Sequence, residues 1–371
     1  MRALPGTRGS CVHRATAPER CTLGEIMDTL VTGLDRLRLG WLRWLGPVAG
    51  PFIRSRELRA AALLTFSIAV AFVLTAVAPL ELLALGPIVL GVPHLAADVR
   101  YLVVRPRLHT RPAFWIAVVL PLLLLGWTTQ GWLGFLAVAG AALTLPRTWS
   151  ARRVFAVAIA CTLAALAWWL PRTLGPVMAH AHNLVAVLFF LAWPHLAGRA
   201  RSGRWHLVPL ALFALATLVI FAGGIDPIAR GVGHVEHGDG LGTSLEVHQI
   251  MLAPAALDAR GALALRLVLF FAFAQSVHYG AWLRVIPEED RARSTPRTFR
   301  ASIAALREEG SLPVMLVFVA LSLALATWAA VDAHDARTGY LRGALFHGYL
   351  ELAVLGVLFA SPAARLRALA G

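Results

Sequence analysis

The stretch Gly91–Arg105, GVPHLAADVRYLVVR, decides how this chain folds. It closes an apolar segment long enough to cross a bilayer, yet it carries His94 and Asp98. The i, i+4 spacing puts both on one face of a helix, one turn apart. Hydrocarbon penalises an ionised side chain by about 2.5–3.5 kcal/mol or more, unless it turns inward and finds a partner or a metal. Outward from this stretch, similar apolar segments carry His180 with His182, then His278, then His347 with Glu351. The pattern predicts helices gathered around a polar, histidine-rich interior.

The composition agrees. Of 371 residues 58% are hydrophobic and 15% charged, with a mean hydropathy of +0.69. This is the balance of a polytopic membrane protein. The net charge of +14 lies in short arginine runs between apolar segments, so it reads as a topology signal and not as nucleic-acid binding. No lysine occurs, and the three cysteines form neither a disulfide framework nor a CxxC knuckle. Cys161 reads as core packing.

A window of about 19 residues predicts an all-α bundle of about ten transmembrane helices, near 60–79, 82–104, 113–129, 131–146, 153–170, 176–197, 206–224, 262–284, 312–331 and 341–360. Segment four is short and glycine-rich, so it is either re-entrant or tightly packed. Arginines cluster before segment one, in every second connection and after segment ten. Positive-inside orientation then puts both termini in the cytoplasm, in a membrane of bacterial inner-membrane type. Three regions follow: a cytoplasmic segment 1–59, a transmembrane domain 60–360 and a cytoplasmic tail 361–371. Residues 1–24 hold no apolar h-region, so no cleaved signal peptide is expected and Met27 is an alternative start. Leu23–Leu45, with Trp41, Trp44, Arg36, Arg38 and Arg43, reads either as an amphipathic helix in the membrane interface or as a leader packed on the protein.

The polar groups sort by segment. Segment two gives His94 and Asp98, and segment six gives His180, His182 and Asn183. Segment eight gives Gln275, His278 and Tyr279, and segment ten gives His347, Tyr349 and Glu351. The odd segments are almost purely apolar, so four helices running in one direction are expected to form an inner ring. Imidazole suits zinc and redox metals, and carboxylates ligate or orient ligands. The candidate ligands are His94, His180, His182, His278 and His347, with Asp98, Glu351 and Tyr279 as catalytic candidates. His180 and His182 are two apart, so only one faces a given site. The expected depths differ by about 10 Å, and one site near mid-membrane is favoured over two layers. The alternative for each histidine is an interhelical hydrogen bond, typically near 0.6 kcal/mol. The connection 224–260, with His234, Glu236, His237, Asp239 and His248, resembles a loop that caps a site. His234 and His237 read as solvated, His109, His195 and His206 as interfacial, and Trp282 and Arg284 as anchors at the membrane boundary. No phosphate-binding loop, HExxH, GxSxG or desaturase histidine box occurs.

The GVPHLAAD stretch (Gly91–Asp98) resembles the GxPHGxxD signature of the Brp/Blh family of membrane β-carotene 15,15′-dioxygenases, and SVHYG (Ser276–Gly280) is similar to a second element of that family. Leu95 stands where the family has glycine, and no aspartate follows the second element. The resemblance implies a non-haem iron held by His94 and His278 with Asp98 in support. His347 and either His180 or His182 would then complete the set. It also implies oxidative cleavage of a carotenoid.

Together these readings predict a metal-dependent membrane oxidoreductase acting on a lipid-soluble substrate in contact with membrane lipid. Fe(II) is the expected metal, with zinc or copper open, and no nucleic acid is involved. The rival is a proton or metal-ion transporter using the same His, Asp and Glu groups. A third reading is a non-catalytic structural protein.

Overall fold

The structure is a computed structural model that describes residues 23–145, 149–201, 203–232, 261–291, 293–309 and 312–360. Every regular element among the described residues is helical. After an amphipathic helix α1 (Leu23–Trp44) come α2 (Arg56–Val77), α3 (Pro79–Val104), α4 (Pro112–Thr128), α5 (Gly131–Thr144), α6 (Ala151–Trp169), α7 (Pro171–Leu196) and α8 (Leu207–Phe221). The chain continues with α9 (Ala262–Glu289), α10 (Phe299–Glu309), α11 (Leu312–Val331) and α12 (Ala333–Ala360).

Six of these (α2, α3, α6, α7, α9 and α12) are long and apolar enough to cross a membrane. The apolar stretches α4, α5, α8 and Leu316–Val331 of α11 are shorter. The ten segments expected from hydropathy each coincide with one of these helices, while six meet the spanning length. Several outward faces are apolar: Ile116, Leu218 and Leu323 are 69%, 67% and 63% exposed. Water tolerates such a belt poorly and lipid tolerates it well, so the molecule is compatible with membrane insertion.

Local chemistry sets the helix ends. Ser55 and Ser150 accept hydrogen bonds from the Leu58 and Arg153 amides and so cap α2 and α6. Pro79, Pro112 and Pro171 open α3, α4 and α7, where a missing N–H costs nothing. Helix α2 therefore begins at Arg56, inside the region expected to precede the transmembrane domain. Single residues join α2 to α3, α6 to α7 and α11 to α12, namely Ala78, Leu170 and Asp332. These tight turns share one end of the bundle.

The opposite end is rich in arginine. There Glu288 pairs with Arg59 at 2.6 Å and with Arg291 at 2.8 Å. Glu289 pairs with Arg199 at 3.3 Å, Asp290 pairs with Arg105, and Trp193 donates to Asp290. This network ties the ends of α2, α3, α7 and α9 together. Helix α1 packs on α10, where Asp35 accepts from the Phe299 amide at 2.7 Å and Asp28 pairs with Arg300 at 3.1 Å. Leu37, Trp41 and Trp44 of α1 remain exposed.

The short α5 is tightly packed. A Cβ on Gly140 would collide with the backbone carbonyl of Ala117 in α4, which has no freedom to move aside. Gly140→Val is expected to destabilise the fold by about 1–3 kcal/mol, as overpacking does. The check is the unfolding midpoint in detergent, and an unchanged midpoint would contradict the packing. Cys161 lies on the exposed face of α6 and not in the core. The capping loop expected over 224–260, with His234, Glu236, His237, Asp239 and His248, falls mostly outside the described residues. So does the tail 361–371.

Candidate metal centre

Helices α3, α9, α7 and α12 pack as a closed ring, each against the next. Helix α9 is the most buried of the long apolar helices. Small residues permit the approach: a Cβ on Gly348 of α12 would stand 3.1 Å from the His182 Cβ of α7. Pro93 interrupts the hydrogen-bond ladder of α3 just before His94. Wide π-helical turns follow directly at Val99–Val104 in α3 and Ala281–Val285 in α9. Such turns are frequent at functional sites, because they let a helix re-aim its side chains.

The ring brings six expected residues together. His94 and His278 face each other with their Nε2 atoms 3.0 Å apart. Asp98 Oδ2 lies 3.4 Å from His94 Nε2, and Glu351 Oε1 lies 3.3 Å from His278 Nε2. Ligand atoms of His94, His278 and His347 all fall within 4.8 Å of one another, as do those of His94, Asp98 and Glu351. His182 stands at the edge, its ring 5.1 Å from that of His347 and 5.4 Å from that of His278. The one-site expectation thus describes the geometry.

His180 is the exception. Its ring stacks on Phe270 and meets Phe271 edge-on, away from the cluster. A helix rotates by about 200° over two residues, so once His182 turns inward its neighbour cannot. Tyr279 lies beside the cluster, with its ring 5.2 Å from that of His94. Trp282 is no boundary anchor: it is fully buried, 6.4 Å from the His94 ring and nearly parallel to it. Arg284 is exposed, as expected of an anchor, and so are His109 and His195.

The donor set suits a cation. His94, Asp98 and Glu351 are 0% exposed, and His278 is 1% exposed. Both oxygens of Asp98 and both of Glu351 lack a hydrogen-bond partner. Two carboxylates in so dry a place, with only imidazoles 3.3–3.4 Å away, are costly as anions, and each is relieved either by a proton or by a bound cation. Metal bonds of about 2.0–2.2 Å place neighbouring ligand atoms about 3.0–3.5 Å apart, which matches the His94–His278, His94–Asp98 and His278–Glu351 separations. The Nδ1 atoms of His182 and His347 lie against the carbonyls of Met178 and Ala344. A carbonyl only accepts, so each Nδ1 carries the proton and each Nε2 keeps its lone pair free for a ligand. The group is therefore a possible metal site, and its geometry does not select among metals.

A cavity of about 420 Å³ adjoins the cluster. His182, His347 and Tyr279 line it, with Leu125, Leu174, Met178 and Phe271 among its apolar walls. Exposed Thr129, Gln130, Pro171 and Leu345 form its rim at the end with the tight turns. On the arginine-rich side the cluster is closed by Trp282, Phe189 and Trp193, each 1% exposed or less, whose rings meet at 5.2–6.0 Å.

No protein-family model matches the chain, and no curated protein or solved structure matches it either.

Proposed function

We propose that this protein is an integral membrane, metal-dependent oxidoreductase that acts on a lipid-soluble substrate in the cavity beside the histidine cluster. The observation that carries the reading is the convergence of His94, His278 and His347 with the buried carboxylates of Asp98 and Glu351, next to a largely apolar cavity that His347 lines. His94, His278 and His347 hold the metal, and Asp98 and Glu351 neutralise its charge. Tyr279 lines the cavity wall between the His94 ring and Tyr340, where it can hold a proton beside the substrate. A redox-active metal here supplies a position at which O₂ is activated beside the substrate. Apolar walls exclude water, and an apolar substrate reaches them from the bilayer without a water-filled vestibule. The short resemblance to carotenoid-cleaving dioxygenases favours Fe(II) and a polyene, with zinc and copper as the other candidates.

The transporter reading needs polar steps on both sides of the cluster. The packed Trp282, Phe189 and Trp193 layer favours the enzyme, because it places three buried aromatic rings between the cluster and the arginine-rich end.

Elemental analysis of detergent-purified protein tests the proposal. The expected result is bound iron, zinc or copper in stoichiometric amount, with a melting temperature that falls on chelation and recovers on reloading. Metal-free protein that takes up none of the three on reconstitution would sink it.

A further inference from the structure

The proposed centre leaves unused a buried charge in the wall of its own cavity. Arg337 of α12 is 3% exposed and lines the same cavity as His182 and His347. Its Nε donates to the Leu83 carbonyl at 2.6 Å, and its Nη1 is buried with no hydrogen-bond partner. Among the described residues no carboxylate pairs with it. Tyr340, one turn along, also lines the cavity, its hydroxyl buried against that of Tyr279. A guanidinium is permanently charged, and one held in a dry wall without a counter-ion is costly unless a ligand supplies the anion.

We infer that the cavity binds a single-chain amphiphile by its carboxylate, with Arg337 and Tyr340 as the head-group site and the tail lying along α12 toward the histidines. Residues 337, 340, 344, 347 and 351 recur at three and four, so Arg337, Tyr340, Ala344, His347 and Glu351 share one helix face. A carboxylate is a monoanion, matches one guanidinium, and forms charge-assisted hydrogen bonds with it. The cavity volume of about 420 Å³ lies low in the range of small-molecule sites, which suits one chain and not a diacyl lipid. Ten residues separate Arg337 from His347, about 15 Å of helix, or roughly ten to twelve bonds of an extended carbon chain. The head group thus sets which carbon lies at the cluster. A neutral hydrocarbon polyene would leave Arg337 bare, so the site departs from the carotenoid expectation. That the tail ends at a metal rests on the proposed function; the head-group site does not.

Binding of parinaric acid, a fluorescent polyene fatty acid, to the full chain in non-ionic detergent at mildly alkaline pH gives the test. Displacement is measured with palmitic acid, hexadecanol and dioleoylphosphatidylglycerol. Palmitate is expected to displace the probe at least about tenfold more tightly than hexadecanol, and the phospholipid to displace it poorly. Arg337→Gln is expected to abolish the preference for acid over alcohol and leave hexadecanol affinity and metal content unchanged, while Arg337→Lys retains part of the preference. Equal affinity of wild type for acid and alcohol overturns the proposal, even if the variants do not fold. So does phospholipid displacement equal to that by palmitate, or a preference that survives Arg337→Gln. The His94→Ala/His278→Ala variant is expected to keep the acid preference, so a failed metal centre and a failed head-group site give different results.

Discussion

Replacing His94 and His278 together by alanine is expected to remove the metal from an otherwise folded protein, with affinity falling more than about 100-fold. Loss of a residue that merely supports a ligand typically costs about 10–100-fold, and here two ligands go at once. The two imidazoles form the shortest contact in the cluster, 3.0 Å between Nε2 atoms, and His94 belongs to both sets of converging ligand atoms. Without them Asp98 and Glu351 remain buried with little to neutralise them. His180→Ala is the control: His180 has the same chemistry two residues from His182 but stacks on Phe270. It should retain full metal content. The checks are metal per chain and the metal-dependent shift in melting temperature, a saturating ligand at 100 times its dissociation constant contributing about 2.7 kcal/mol. Equal metal in the double variant and wild type would remove these residues from the ligand set.

The inner ring was legible in the sequence because lipid punishes polar groups so heavily that the helices bearing them declare themselves. His94, His182, His278 and His347 fall on segments two, six, eight and ten, which are the four helices α3, α7, α9 and α12. The boundaries were less legible, and with them the depths. Helix α12 begins at Ala333, eight residues before the expected 341, and α9 runs to Glu289, five beyond the expected 284. At about 1.5 Å per residue, shifts of this size account for the apparent 10 Å spread in depth. Arg337 was hidden for the same reason: an arginine just outside a hydropathy window reads as part of a connection. The choice between His180 and His182 was open, because a two-residue spacing says that the rings diverge and not which one turns inward. The π-helical turns after Asp98 and Gly280 left no trace in composition or periodicity.

Trp282→Ala is expected to destabilise the protein by about 3–5 kcal/mol, the usual cost of emptying a large buried aromatic site. The neighbours of Trp282 explain why relaxation would be poor. Phe189 and Trp193 sit on α7, a different helix, and His94 lies nearly parallel to the indole at 6.4 Å. None can fill the space without breaking its own contacts. Trp282 sits where a hydropathy window places the membrane edge, beside exposed Arg284. Yet α9 continues through a π-helical turn, and that carries the indole inward. The same substitution tests the choice between enzyme and transporter. If the aromatic layer is a seal, proteoliposomes bearing wild type should hold a pH gradient, and those bearing the alanine variant should lose it faster. Trp282→Phe should recover most of both stability and tightness. Wild type that dissipates the gradient as fast as the variant would mean that the layer does not close the cluster off. The buried histidines and carboxylates would then read better as steps in a proton path than as ligands at a dead end.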